Sequence, residues 1–133
     1  MKLKDRFKDL KRDYKDFIVL IVSGSFYVSY DSDAVLLSYL FSYQIKNDRV
    51  GFPSSALDKV VSSLCEKHIC VVVVGSEILE SVFDDNQYYV YLDEAFKFFN
   101  NHTMLESLID RIRLLVMRDF DNYIKIKGFI DEL

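Results

Sequence analysis

Apolar residues recur along the chain in two rhythms, and the switches between them mark out the elements. Leu3, Phe7, Leu10 and Tyr14 fall at steps of four and three, which predicts a helix over residues 3–14 with Lys, Arg and Asp on its other faces. Residues 17–22, Phe-Ile-Val-Leu-Ile-Val, form an unbroken apolar run of the kind found in strands buried on both faces. Ser23-Gly24-Ser25 interrupts it with small residues suited to a tight turn. Residues 25–30 then alternate, placing Phe26, Val28 and Tyr30 on one face and Tyr27 on the other, so the two strands read as a hairpin.

Residues 33–43 predict a helix with almost no polar face, capped by Asp31 or Ser32 and sandwiched between layers. Lys46-Asn47-Asp48-Arg49 is a polar turn, and Gly51-Phe52-Pro53 ends the connection. Ser54 or Ser55 caps a third helix, in which Leu57, Val60, Val61, Leu64 and Cys65 have amphipathic spacing. Residues 69–74 form a second buried strand, and residues 87–92 an edge strand, since Tyr89 and Tyr91 alternate with Tyr88, Val90 and Leu92. Thr103 with Glu106 makes a capping box, followed by a stripe from Leu105 through Leu108, Ile112, Leu115 and Phe120 that continues to Tyr123 and Ile124 as one long helix. The order predicts an α/β (α+β) fold, a mixed sheet packed with helices. At 133 residues, without repeats or a Pro/Gly-rich linker, the chain reads as one domain, residues 1–133. The C-terminal stripe is expected to close over the sheet of its own chain; the alternative is contact with a protein partner or a second copy in a homodimer.

Composition narrows the function classes. Half the residues are hydrophobic, and 11 Phe with 9 Tyr leave a surplus of rings beyond what one core needs. The opening residues lack the apolar stretch of a signal peptide and no run is long enough to span a bilayer, so a cytoplasmic protein with reduced Cys65 and Cys70 and no membrane partner is expected. The Asn101-His102-Thr103 acceptor is then without consequence. A formal charge of −4 argues against a non-specific nucleic-acid coat, although residues 1–16 hold seven Lys or Arg against four Asp, read first as the wet face of a helix with i, i+4 pairs. Catalytic chemistry is scarce. His68 and His102 belong to different elements, a Cys65/His68/Cys70 zinc site lacks a fourth ligand, and Asp84-Asp85 reads as a turn. None of the glycines 24, 51, 75 and 128 opens a phosphate-binding Gly-x-x-x-x-Gly-Lys-Ser/Thr loop. No enzyme, no cofactor and no metal are expected.

Four short stretches in order carry a resemblance: Gly24-Ser25-Phe26-Tyr27-Val28, Asp33-Ala34 opening a helix, Gly51-Phe52-Pro53 before another, and Cys70-Val71-Val72-Val73-Val74 as a closing strand. Together they resemble the first domain of MutS DNA mismatch-repair proteins over residues 3–76, with residues 77–133 as a C-terminal extension. The resemblance implies a domain without the ATPase that touches double-stranded DNA, with Phe26 as the wedge inserted from the minor groove beside a mispaired base. Where the family carries a Glu that hydrogen-bonds the displaced base, this chain has Val28; the family Asp is Ser25, and the aromatic-His pair after Gly-x-Pro is Ser54-Ser55. Lys46 and Arg49, on the loop, are the candidate phosphate contacts. The implied function is a non-enzymatic module binding mismatched or distorted duplex DNA; the alternative is a protein-interaction module that kept the fold and lost the DNA contact. Phe26 is equally readable as a core aromatic, so the direction of its ring decides between the two.

Overall fold

The computed structural model describes residues 2–100 and 104–133, with side chains except those at 104–107. The chain divides into two compact units, Met1–Phe96 and Lys97–Leu133. In the first, α1 (Leu3–Asp13), β1 (Ile18–Ser23), β2 (Phe26–Tyr30), α2 (Asp31–Phe41), β3 (Arg49–Pro53), α3 (Leu57–Glu66), β4 (Val71–Val74) and β5 (Ile78–Ser81) follow in order, and α4 (Tyr88–Asn100) begins there. The sheet order is β3-β2-β1-β4-β5. The central β1–β4 pair is parallel and the other three pairs are antiparallel, so the sheet is mixed.

Alternation sorts the core into two layers. Ile18, Leu20, Val50, Phe52, Val71 and Val73 pack against Leu36 and Leu37 of α2, Val60 and Leu64 of α3, and Tyr88 of α4. Val19, Ile21, Val28, Tyr30, Val72 and Val74 face the other way, onto Phe7 of α1 with Leu3 and Leu10 beside it. Because β1 and β4 contribute to both layers, they read as unbroken apolar runs.

Five expectations require correction. Residues 87–92 are not an edge strand but the start of α4, because Tyr88, Tyr91, Leu92 and Ala95 fall at helical spacing and turn inward. The true edges are β5 and β3; the second includes Gly51-Phe52-Pro53, which continues the sheet rather than ending a connection. Neither Asp31 nor Ser32 caps α2, which starts at Asp31 after Tyr30 with no side-chain cap; Ser54 and Ser55 form a short 3-10 turn before α3, again without one. The C-terminal stripe is two helices, α5 (Met104–Arg118) and α6 (Phe120–Asp131), because Asp119 leaves the helix and accepts the Asp121 N–H at 3.0 Å as an N-cap. The basic face of α1 is not purely wet, since Lys11 turns inward. The expected Thr103–Glu106 capping box lies outside the described residues. Among those residues no helix is long and apolar enough to cross a membrane.

The two buried polar residues, Ser29 and Asp33, both serve the backbone of β1. The β1–β2 pairing covers Ile21, Val22 and Ser23, leaving the other half of β1 without β2 as a partner. Val19 N–H donates instead to Asp33 Oδ2 at 3.0 Å, and Val19 C=O accepts from Ser29 Oγ at 2.8 Å. Asp33 also accepts from Lys11 Nζ at 3.1 Å and from the Tyr88 hydroxyl at 2.5 Å. Lys11 Nζ further donates to the carbonyls of Phe17 and Lys15, and lies 5.0 Å from the Tyr88 ring centroid. One carboxylate thus joins α1, β1, α2 and α4. Burial pushes its pKa above the ordinary carboxylate range, opposed by the Lys11 cation and by the hydrogen bonds from Tyr88 and Val19. Burial and then the Asp33 charge raise the Tyr88 phenol far above its usual value, which keeps it a donor.

A raised native pKa means that Asp33 binds its proton more tightly folded than unfolded, so its contribution to stability is full on the acid side and declines as pH rises. Removing the cation deepens that decline. Lys11→Met is expected to cost about 3 kcal/mol at neutral pH, as an uncompensated buried charge does, and clearly less near the carboxylate range. Urea denaturation at the two pH values checks this. Equal losses at both would mean that Lys11 acts through packing alone.

Candidate nucleic-acid interface

Two tight turns build the groove on the α1 side of the sheet. The first joins β1 to β2 through Gly24, whose φ of +60° places it in the left-handed region at the first central position, where a two-residue hairpin favours glycine. It pairs Ser23 with Phe26, so Phe26 is the first residue of its strand and lies beyond the cover of α1. The ring is 47% exposed, whereas Val28, two residues on along the same face, is buried. The strand itself is not a sheet edge, because β3 lies outside it; Phe26 reaches solvent by standing at the strand end.

The second turn, Lys46 to Arg49, has Asn47 at φ +53° and Asp48 at φ +61°, residue types that tolerate the left-handed region well. Lys46 and Arg49 exchange both backbone hydrogen bonds across it, at 2.9 and 3.0 Å, which holds the two cations side by side. Among the described residues neither has an ion-pair partner. Alternation along β3 then buries Val50 and Phe52 and leaves Arg49 and Gly51 on the groove side, opposite Tyr30 and Val28.

The result is an open groove of ≈ 420 Å³ lined by Ser23, Phe26, Val28, Gln44, Lys46, Arg49 and Gly51. The three residues singled out from the sequence, Phe26, Lys46 and Arg49, therefore meet in one concavity. Val28 supplies an apolar wall with no donor or acceptor where the resemblance calls for a carboxylate. Gln44, Ser23 and Gly51 were not foreseen; reading residues 49–53 with period two would have placed Arg49 and Gly51 together. Gly51 has an ordinary φ, and a Cβ there would meet Val28 Cγ1 at 3.5 Å, an ordinary contact. Neither backbone strain nor crowding requires glycine, yet its missing side chain leaves the groove open.

The remaining chemistry-bearing residues do not join this site. His68 Nδ1 lies 2.8 Å from Asp85 Oδ1 and its ring stacks on Phe83 at 4.9 Å. That hydrogen bond holds the Asp85 carboxyl below its ordinary range. Cys65 and Cys70 are free thiols, and Cys70 Sγ accepts from the Phe83 N–H. Among the described residues no group of three or more His, Cys, Asp or Glu is placed to hold a metal ion.

Fold and site together define a small mixed-sheet domain that carries a solvent-facing aromatic beside two unpaired cations. The family model for MutS domain I matches residues 2–83, more than half of the chain and the whole sheet through β5, and the chain belongs to that family. No curated protein matches it.

If Gly51 serves the groove rather than the fold, Gly51→Ala should raise stability by about 0.5–1 kcal/mol, the usual gain when a strand glycine with permissive φ acquires a Cβ. Thermal denaturation measures it; a clear destabilisation would show that the fold needs this glycine.

Proposed function

We propose that this chain is a non-enzymatic DNA-binding module of the MutS domain I type, with its Phe26 groove taking distorted or mispaired duplex DNA. The observation that carries the reading is the half-exposed Phe26 ring sharing a groove with Lys46 and Arg49. Phe26 stacks on an unstacked base, and the two cations, side by side, grip the neighbouring phosphates. Val28 gives the displaced base nothing to hydrogen-bond, so selection comes from the cost of deforming the duplex, which is lowest where pairing is already broken. Two phosphate contacts on a chain of net charge −4 make binding weak, with a measurable but shallow salt dependence.

The rival reading, a protein-docking module that retained the fold, is favoured by Val28 and by the negative net charge. Titration of mismatched and matched duplexes across a salt series separates the two. The DNA reading expects a log–log salt slope of about −2, reduced by about 1 in Lys46→Ala or Arg49→Ala. Phe26→Ala should weaken binding to the mismatched duplex about tenfold or more, by loss of roughly 1–3 kcal/mol of stacking, and affect the matched duplex less. Flat titrations, or a Phe26→Ala variant that binds like the parent, would overturn this reading.

A further inference from the structure

The second compact unit, Lys97–Leu133, falls below the roughly 40 residues at which a chain segment can bury enough apolar surface to stand by itself. Its helices α5 and α6 pack on one another, yet an apolar groove of ≈ 260 Å³ remains between them, lined by Ile112, Val116, Tyr123, Ile126 and Ile130 with Lys127 at its edge. Exposed apolar residues stand beside that groove: Leu108, Ile109 and Leu115 on α5, Phe120, Tyr123 and Ile124 on α6. One helix pair therefore presents both an apolar furrow and apolar ridges of matching chemistry. Such a surface is complementary to itself.

Charge and area favour the same occupant. Residues 97–133 carry six Lys or Arg (97, 111, 113, 118, 125, 127) and six Asp or Glu (106, 110, 119, 121, 131, 132), a net of zero. The whole −4 of the chain thus resides in residues 1–96, and two copies of the second unit meet without net repulsion. At roughly 100 Å² for each of the six exposed apolar residues, Tyr123 of the groove lining among them, a pair buries about 1,200 Å², the lower bound of a standard interface.

We propose that two copies of the chain associate through α5 and α6 about a twofold axis, forming a four-helix assembly in which the ridges of each copy fill the furrow of the other. The inference stands independently of the DNA reading. If both hold, two Phe26 grooves belong to one particle, and a duplex that reaches both gains avidity without any new contact.

Sedimentation equilibrium of the full chain over a micromolar concentration series tests the proposal. The expected mass is twice the 15.6 kDa of one chain. Leu108→Glu combined with Tyr123→Glu, which charges the ridges, should weaken self-association at least tenfold. Leu114→Glu should leave it intact, because Leu114 is exposed and helical periodicity puts it on the side of α5 opposite Ile112 and Val116. A monomer at every concentration overturns the proposal, and that measurement on the unaltered chain is decisive even if the double variant unfolds. A dimer lost with Leu114→Glu but retained in the double variant overturns it as well.

Discussion

Val19 is where the sheet would fail without help from side chains. It is the second residue of β1, fully buried, at a point that the ladder with the neighbouring antiparallel strand does not reach. A buried N–H or C=O left without a partner costs about 1–3 kcal/mol, so the architecture depends on who supplies the missing bonds. Ser29 and Asp33 do, and neither could be replaced by an apolar residue without orphaning the strand. Satisfying Val19 with a carboxylate then imposes a second demand, because an ionised group in the core needs a counter-charge. That demand fixes the approach of α1 through Lys11 and of α4 through Tyr88. The helical layers on the two faces are thus held in register by one chain of electrostatic consequences rather than by apolar contact alone.

The same geometry frees the groove. With α1 anchored over Tyr30 and the Phe7 ring tilted against that ring at 5.3 Å between centroids, the helix packs on Val28 and Tyr30 of β2 and not on Phe26. The two hairpin turns then bring an aromatic and a pair of cations to the uncovered part of the sheet. Local backbone chemistry does this work: a glycine at φ +60° after β1, and an Asn-Asp pair in the left-handed region before β3. The chain as a whole carries a net charge of −4, whereas α1, on the same side of the sheet as the groove, belongs to a segment (residues 1–16) with seven Lys or Arg against four Asp.

Much of this was legible from residue spacing, and the misses have physical causes. The α1 stripe, the buried runs of β1 and β4 and the alternation of β2 were readable because each maintains one period over enough residues. The four family stations all fall within residues 2–83, the span of the family match. β3 escaped because Gly51 and Pro53 suggest a loop, although on an edge strand a terminal proline sacrifices no ladder bond. β5 escaped because exposed Ile78 and Leu79 give no alternation to detect. In α4 a run of aromatics satisfied both periods over six residues, and only Ala95 further along breaks the tie. Lys11 was unreadable in principle: a lysine on an amphipathic helix declares nothing about an aspartate 22 residues away.

Selection by such a groove, on the reading proposed, is an argument about differences. Stacking on Phe26 is worth roughly 1–3 kcal/mol to any base that can be reached, and the grip of Lys46 and Arg49 on phosphates is the same for every sequence. Neither term distinguishes a mispair from a pair. Opening a stacked, paired step costs a few kcal/mol, comparable to everything the groove returns, whereas a mispaired step has already lost part of that sum. A carboxylate at position 28 would add a bond to the displaced base and deepen binding; valine leaves the balance close to zero. On the proposed reading, a site poised there engages only DNA that is easy to deform, and its selectivity follows from the weakness of its grip.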